Sequence, residues 1–109
     1  MPELPEVETT RRGLAPHVTG RHVHGVIARR ATLRWPIPAD LHEVLVGQPV
    51  LAVRRRAKYL LIDVPSGSVI IHLGMSGSLR VLPGDTPLRT HDHVDICLDN
   101  GHVLRLNDP

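Results

Sequence analysis

The chain has 109 residues, enough for one domain with a real apolar core and too few for two. With 41% hydrophobic and 22% charged residues it has an ordinary globular composition. No run approaches the roughly 20 apolar residues of a membrane-spanning helix, and the acidic, Pro-broken start Met1-Pro2-Glu3-Leu4-Pro5-Glu6 is wrong for a secretory leader. A single cysteine, Cys97, excludes an internal disulfide and any zinc site made from several cysteines of this chain, so the expected compartment is cytoplasmic. The net charge of +2 permits nucleic acid without requiring it, and one Trp, one Tyr and no Phe argue against a single-strand binder built on aromatic stacking.

In chain order, Pro5 to Leu14 is predicted as a first helix, with Glu6 in the first turn, Glu8 spaced to meet Arg11 or Arg12, and Gly13 weakening its end. His22 to Arg30 reads as a strand. Asp40 to Val46 reads as a short helix, capped by Asp40 and stopped by Gly47. Strands then follow at Val50–Arg56 and Tyr59–Val64, with a turn at Pro65-Ser66-Gly67. Two more, Val69–Leu73 and Ser78–Leu82, flank the loop Gly74-Met75-Ser76-Gly77. His93–Leu98 and His102–Leu106 bracket Asn100-Gly101, a strong hairpin signal. Two short helices and six or more strands predict a mainly β fold, a two-layer β-sandwich or flattened barrel. The chain ends at Asp108-Pro109 with no tail or closing helix, and we expect a truncated domain.

Several residues carry possible chemistry. Removal of Met1 would leave Pro2 as an N-terminal secondary amine able to condense with a sugar carbon. An ordinary α-amino group is roughly one in ten free base at pH 7, against about one in 2,500 for an unperturbed lysine. With Met1 retained, that nitrogen is an amide and cannot attack. Glu3 and Glu6 are carboxylates close in sequence to this amine, suited to proton transfer, or simply a solvated helix start. If Val50–Lys58 is extended, alternation puts Arg54, Arg56 and Lys58 on one face and Arg55 on the other. Such a face suits a phosphodiester backbone, or else carries local carboxylate partners. Met75 among small residues is either a core plug or a wedge for the gap left by a flipped base, its glycines letting backbone pass close to DNA. His91 and His93 share a strand face and could hold a metal, but spacing supplies no third ligand. Cys97 is expected in the core.

Together, Pro2-Glu3-Leu4-Pro5-Glu6-Val7-Glu8-Thr9, Arg11-Arg12-Gly13-Leu14 and Leu33-Arg34-Trp35-Pro36 resemble the formamidopyrimidine-DNA glycosylases. So do Arg55-Arg56-Ala57-Lys58-Tyr59-Leu60, His72 through Leu79, His91-Asp92-His93-Val94-Asp95 and the terminal Asp108-Pro109, nearly end to end. The opening Leu4-Pro5-Glu6-Val7-Glu8 favours the branch acting on oxidised purines. The resemblance implies an N-terminal catalytic domain over 1–109, with a β-sandwich and two helices. Its activity would be base-excision repair: glycosylase and AP lyase action on 8-oxoguanine and formamidopyrimidines, through a Schiff base and β,δ-elimination. It implies Pro2 as nucleophile, Glu3 as acid/base partner, Lys58 as phosphate ligand at the damaged nucleotide with His91 assisting, Glu6 arranging the site and Met75 filling the vacated space. Arg54 and Arg56 are further candidates for DNA contact.

The implied partner is double-stranded DNA with oxidised purines or abasic sites, in a bacterial, nucleoid-associated setting, with no membrane and no obligate protein partner. No cofactor is implied in this chain; the family's structural zinc belongs to a C-terminal helix–two-turn–helix and zinc-finger domain that the sequence does not contain. Asn107 stands where many relatives carry Thr. The fragment alone is expected to be weak or inactive, and the alternative is a non-catalytic DNA-backbone binder.

Overall fold

The computed structural model describes residues 4–30, 37–74 and 77–109. Helix α1 spans Leu4–Val18 and buries Val7, Leu14 and Val18. It continues one turn beyond the predicted end at Leu14, where Gly13 is expected to weaken it. Leu14 and Val18, only 3% and 0% exposed, bury enough apolar surface to outweigh the roughly 1 kcal/mol cost of a helical glycine. Pro16 gives up one intrahelical bond in the last turn, and Gly20, with φ +87°, turns the chain away.

The strands are β1 (Val23–Ala28), β2 (Ala52–Arg56), β3 (Tyr59–Val64), β4 (Gly67–His72), β5 (Ser78–Pro83), β6 (Asp92–Leu98) and β7 (His102–Asn107). Between β1 and β2 lies α2, Leu41–Leu45. Asp40 precedes it as expected but makes no side-chain capping bond, while Gly47 ends the segment at φ +85°. All pairings are antiparallel, and the strands form two sheets: β1-β6-β7-β5 and β2-β3-β4. The molecule is therefore a two-layer sandwich rather than a barrel.

Between the layers, Leu79, Ile96, Leu98 and Leu104 meet Val53, Leu60, Ile62, Val64 and Ile71 in one apolar core. Helix α1 rests on β2 and β5, an edge strand of each sheet, and closes that side of the sandwich. On the opposite side, α2 packs near β1, and an apolar cleft of about 600 Å³ runs between β4 and the larger sheet, lined by Leu41, Val69, Ile71, Ile96 and Leu104. Cys97 is half-buried, not a full core residue as expected, because it lies on a strand face opposite the core residues Ile96 and Leu98. No described helix is long and apolar enough to cross a membrane.

Candidate functional site

Pro2, Glu3 and Met75 lie outside the described residues. The described candidates gather through the topology. β2 and β3 are joined by the two-residue turn Ala57-Lys58, and Tyr59, next in sequence, pairs with His72 at the end of β4. Their rings are 5.0 Å apart. The loop after β4 leads to Ser78, which pairs with Asn107, and Asn107 pairs in turn with Asp92, the neighbour of His91. One end of the sandwich thus carries the Lys58 turn, both flanks of the Met75 loop, and His91.

Lys58 itself is in the turn, not on the strand face with Arg54 and Arg56, because the strand stops at Arg56. Ala57 has φ +52°, the first position of the turn bending left-handed where glycine is usual. Arg55 points to the core side, where Glu8 Oε1 accepts from its Nε at 3.2 Å, while its Nη1 donates to the Ala57 carbonyl at 2.9 Å. This bridge ties the Lys58 turn to α1. Glu8 also accepts from Arg11 and Arg12, the partners its spacing predicts. The Arg11 guanidinium, with those of Arg12 and Arg55, lowers its carboxyl to about 2 against the opposing effect of desolvation. Glu6 is exposed in the first turn of α1.

Of the two strand-face arginines, Arg54 is already matched: its Nη2 donates to Asp63 Oδ1 at 3.0 Å, and this pair and Ser68 hold the Asp63 carboxyl below its ordinary value. Arg56 is exposed at the end of β2, and neither it nor Lys58 has a carboxylate in ion-pair range among the described residues.

His91 is exposed and has φ +71°. Ala57 and His91 are the two non-glycine residues with positive φ among the described residues, and each sits at or beside a candidate phosphate ligand. Such a conformation costs on the order of 1–2 kcal/mol and persists where surroundings hold it. For His91 the surroundings centre on Asp92, whose side chain is fully buried. Its Oδ2 accepts from the Arg89 backbone N–H at 2.7 Å, and its Oδ1 from Arg80 Nη2 at 2.8 Å and Asn107 Nδ2 at 3.0 Å. Burial alone would raise the Asp92 carboxyl, but these donors carry it below the ordinary value.

Gly74 has φ +70°, and a Cβ on Gly77 would fall 1.9 Å from the Leu73 carbonyl oxygen. Gly77 therefore admits the loop's own backbone, a requirement separate from any approach of DNA. As for a metal at His91 and His93, their rings stand edge-on 5.7 Å apart, one exposed and one buried. Among the described residues, no group of three His, Cys, Asp or Glu side chains converges to join them. Sequence reasoning gave no role to Asp92, Asn107 or Arg55, each of which has a side-chain partner 12 or more positions away in the chain.

This mainly β sandwich with a helix across one edge has the fold of DNA glycosylases solved in complex with damaged DNA. The Lactococcus lactis formamidopyrimidine-DNA glycosylase bound non-covalently to AP-site DNA superposes with a TM-score of 0.88 at 30% identity, over 98% of this chain and 41% of that one. Its complex with FAPY-dG-containing DNA gives 0.87 at 30% identity, over 97% and 40%. The family model for the formamidopyrimidine-DNA glycosylase N-terminal domain matches residues 1–109, and the chain belongs to that family. A formamidopyrimidine-DNA glycosylase of Stenotrophomonas maltophilia strain K279a is 74% identical over 109 residues, all of this chain and 40% of the relative. One from Xanthomonas campestris pv. campestris strain 8004 is 69% identical over 110 residues. The chain thus spans about 40% of the length of these relatives.

Proposed function

We propose that this domain carries the reactive half of a base-excision glycosylase and AP lyase for oxidised purines in duplex DNA. The observation that carries the reading is the gathering of Lys58, Arg56 and His91 at the end of the sandwich that also bears both flanks of residue 75, in a chain of this family. Cations there suit phosphates flanking one nucleotide, and flipping that nucleotide gives access to its sugar.

In this reading the Pro2 amine, freed by loss of Met1, attacks C1′ of the damaged nucleoside. The glycosidic bond breaks, its electron pair leaves with the base, and an acid supplies the proton the base takes up. The amine then loses its own proton, and nitrogen's lone pair opens the sugar ring to an iminium as Glu3 protonates the ring oxygen. Loss of a C2′ proton expels the 3′ phosphate, and a further elimination expels the 5′ phosphate. Lys58 and His91 hold phosphate, Glu6 arranges the site and Met75 occupies the vacated stack. Among the described residues few cations at this end are unpaired, so few phosphate contacts are expected and the 109 residues alone should bind DNA weakly.

Borohydride trapping on abasic-site duplex tests the reading, with the intact mass of the N-terminus recorded on the same sample. It is run on residues 1–109 and on the same residues continued into the remainder of the Stenotrophomonas relative. A Pro2 adduct in the continued protein, weak or missing in the short chain, is expected. No adduct in the continued, Met1-free protein would overturn it.

A further inference from the structure

The turn 89–92 and the end of β7 meet behind His91, and the Asn107 side chain joins them. The turn 89–92 closes on itself, the Arg89 N–H donating to Asp92 Oδ2 and the Asp92 N–H to the Arg89 carbonyl at 3.2 Å. The end of β7 then grips this turn from the side. The Asp108 N–H donates to the His91 carbonyl at 3.0 Å, and Asn107 Nδ2 donates both to the Thr90 carbonyl at 2.8 Å and to Asp92 Oδ1 at 3.0 Å. A primary amide has two N–H bonds, and here each has its own acceptor, on either side of the left-handed residue.

We infer that Asn107 is a positioning residue for His91. Its amide spans the backbone before His91 and the buried carboxylate after it, so that the exposed imidazole is presented from a fixed, left-handed mount. The two side chains make different contacts. Asp92, buried, accepts from the Arg89 N–H within the turn and from Arg80 on β5, while Asn107, from the end of β7, holds the turn on both sides of His91. A threonine or serine at 107 has a single O–H and can serve one of the two acceptors, never both. An alanine serves neither. This role rests on the reading of His91 as a phosphate ligand.

The test is a double-mutant cycle in residues 1–109 continued into the rest of the Stenotrophomonas relative, read by anisotropy on abasic-site duplex across a salt series. His91→Ala should weaken binding about threefold to tenfold. Asn107→Ala should weaken it by up to the same factor, Asn107→Thr by less, and Asn107→Ala with His91→Ala no more than His91→Ala alone. Amide heteronuclear NOEs at residues 89–92 should fall in Asn107→Ala and partly in Asn107→Thr, while the rest of the sheet stays unchanged.

Losses that multiply in the double variant would overturn the inference, because Asn107 would then act independently of His91. Parent-like binding by Asn107→Ala while His91→Ala is weakened would overturn it alone. Parent-like binding by His91→Ala would remove the phosphate reading of that residue, and the positioning role with it. Unchanged NOEs would overturn the mount whatever the binding shows. If Asn107→Ala fails to fold, the threonine variant carries the same comparison.

Discussion

Arg105 and Asp95 face each other across the β6–β7 pair and are joined by two hydrogen bonds, Nε to Oδ1 at 2.9 Å and Nη2 to Oδ2 at 3.0 Å, with both side chains buried. Arg29 donates to the same carboxylate from β1's end at 2.9 Å, and Arg105 also reaches the Thr86 carbonyl at 2.8 Å. This cluster fastens the loop after β5 onto the outer face of the larger sheet. Asp95→Ala should therefore cost about 3–5 kcal/mol, because it leaves a buried guanidinium without its counter-charge. Replacing the pair together by Leu and Met should cost far less. Urea denaturation of the three proteins checks the ordering, and equal losses for the single and double variants would refute it.

The carboxylates give the pH dependence a definite sign. Glu8 is lowered to about 2, and Asp63, Asp92 and Asp95 all lie below their ordinary values. A group lowered on folding contributes stability that is complete above its unfolded value, roughly 3.9–4.3, and lost as pH falls through its folded value. The contribution of these four groups should thus be flat from pH 7 to about 5 and decline below about 4, with Glu8's part lost as the pH falls through about 2. Thermal midpoints between pH 2 and 7, with Glu8→Gln as reference, test this. Glu8→Gln should differ from the parent at pH 5 and converge with it at the acid limit.

DNA binding should separate the arginines of β2. Lys58→Ala and Arg56→Ala should each lower the slope of log affinity against log salt by about one, as expected for one phosphate contact. Arg54→Ala should lower it by less, because Asp63 already neutralises Arg54. Equal slopes for Arg54→Ala and Arg56→Ala would show that the Asp63 pair opens when DNA arrives.

Two glycine substitutions should have opposite signs. In α1, a Cβ on Gly13 meets nothing within 4 Å, so Gly13→Ala should stabilise by about 0.5–1 kcal/mol. At Gly77 the same atom would strike the Leu73 carbonyl, so Gly77→Ala should lower the thermal midpoint and weaken abasic-site binding together. A neutral Gly77→Ala would mean that the loop can open without cost.

Strands were legible wherever alternation and turn residues agreed: Tyr59–Val64 has the bounds its sequence predicts. The hairpin at Asn100-Gly101 shows where legibility ends. A two-residue turn there would set Arg105 opposite Ile96. The actual loop runs from Asp99 to Gly101, with Gly101 at φ +84°, and this moves the register by one so that Arg105 meets Asp95. The buried ion cluster follows from that one residue, and the Asp92–Asn107 contact needs a second irregularity, between Asp92 and Val94, that moves the register by one more; composition and spacing reveal neither. Lys58, from strand alternation and family motifs, and His91, from its motif, are candidates in the sequence; that both lie on or beside left-handed backbone is visible only in three dimensions.

Helix α1 lies against β2 and β5, strands of different sheets, while on the far side the layers are separated by the apolar cleft. The sandwich is in this sense a book with a bound spine and an open fore-edge. Its local openings should begin at β4 and α2, where amides exchange with solvent soonest, and reach β2 and β5 only with global unfolding. The residues proposed to grip a phosphate are mounted on turns at one end of this book. Lys58 is tied to the spine through Arg55 and Glu8, so breathing of the pages need not disturb its aim.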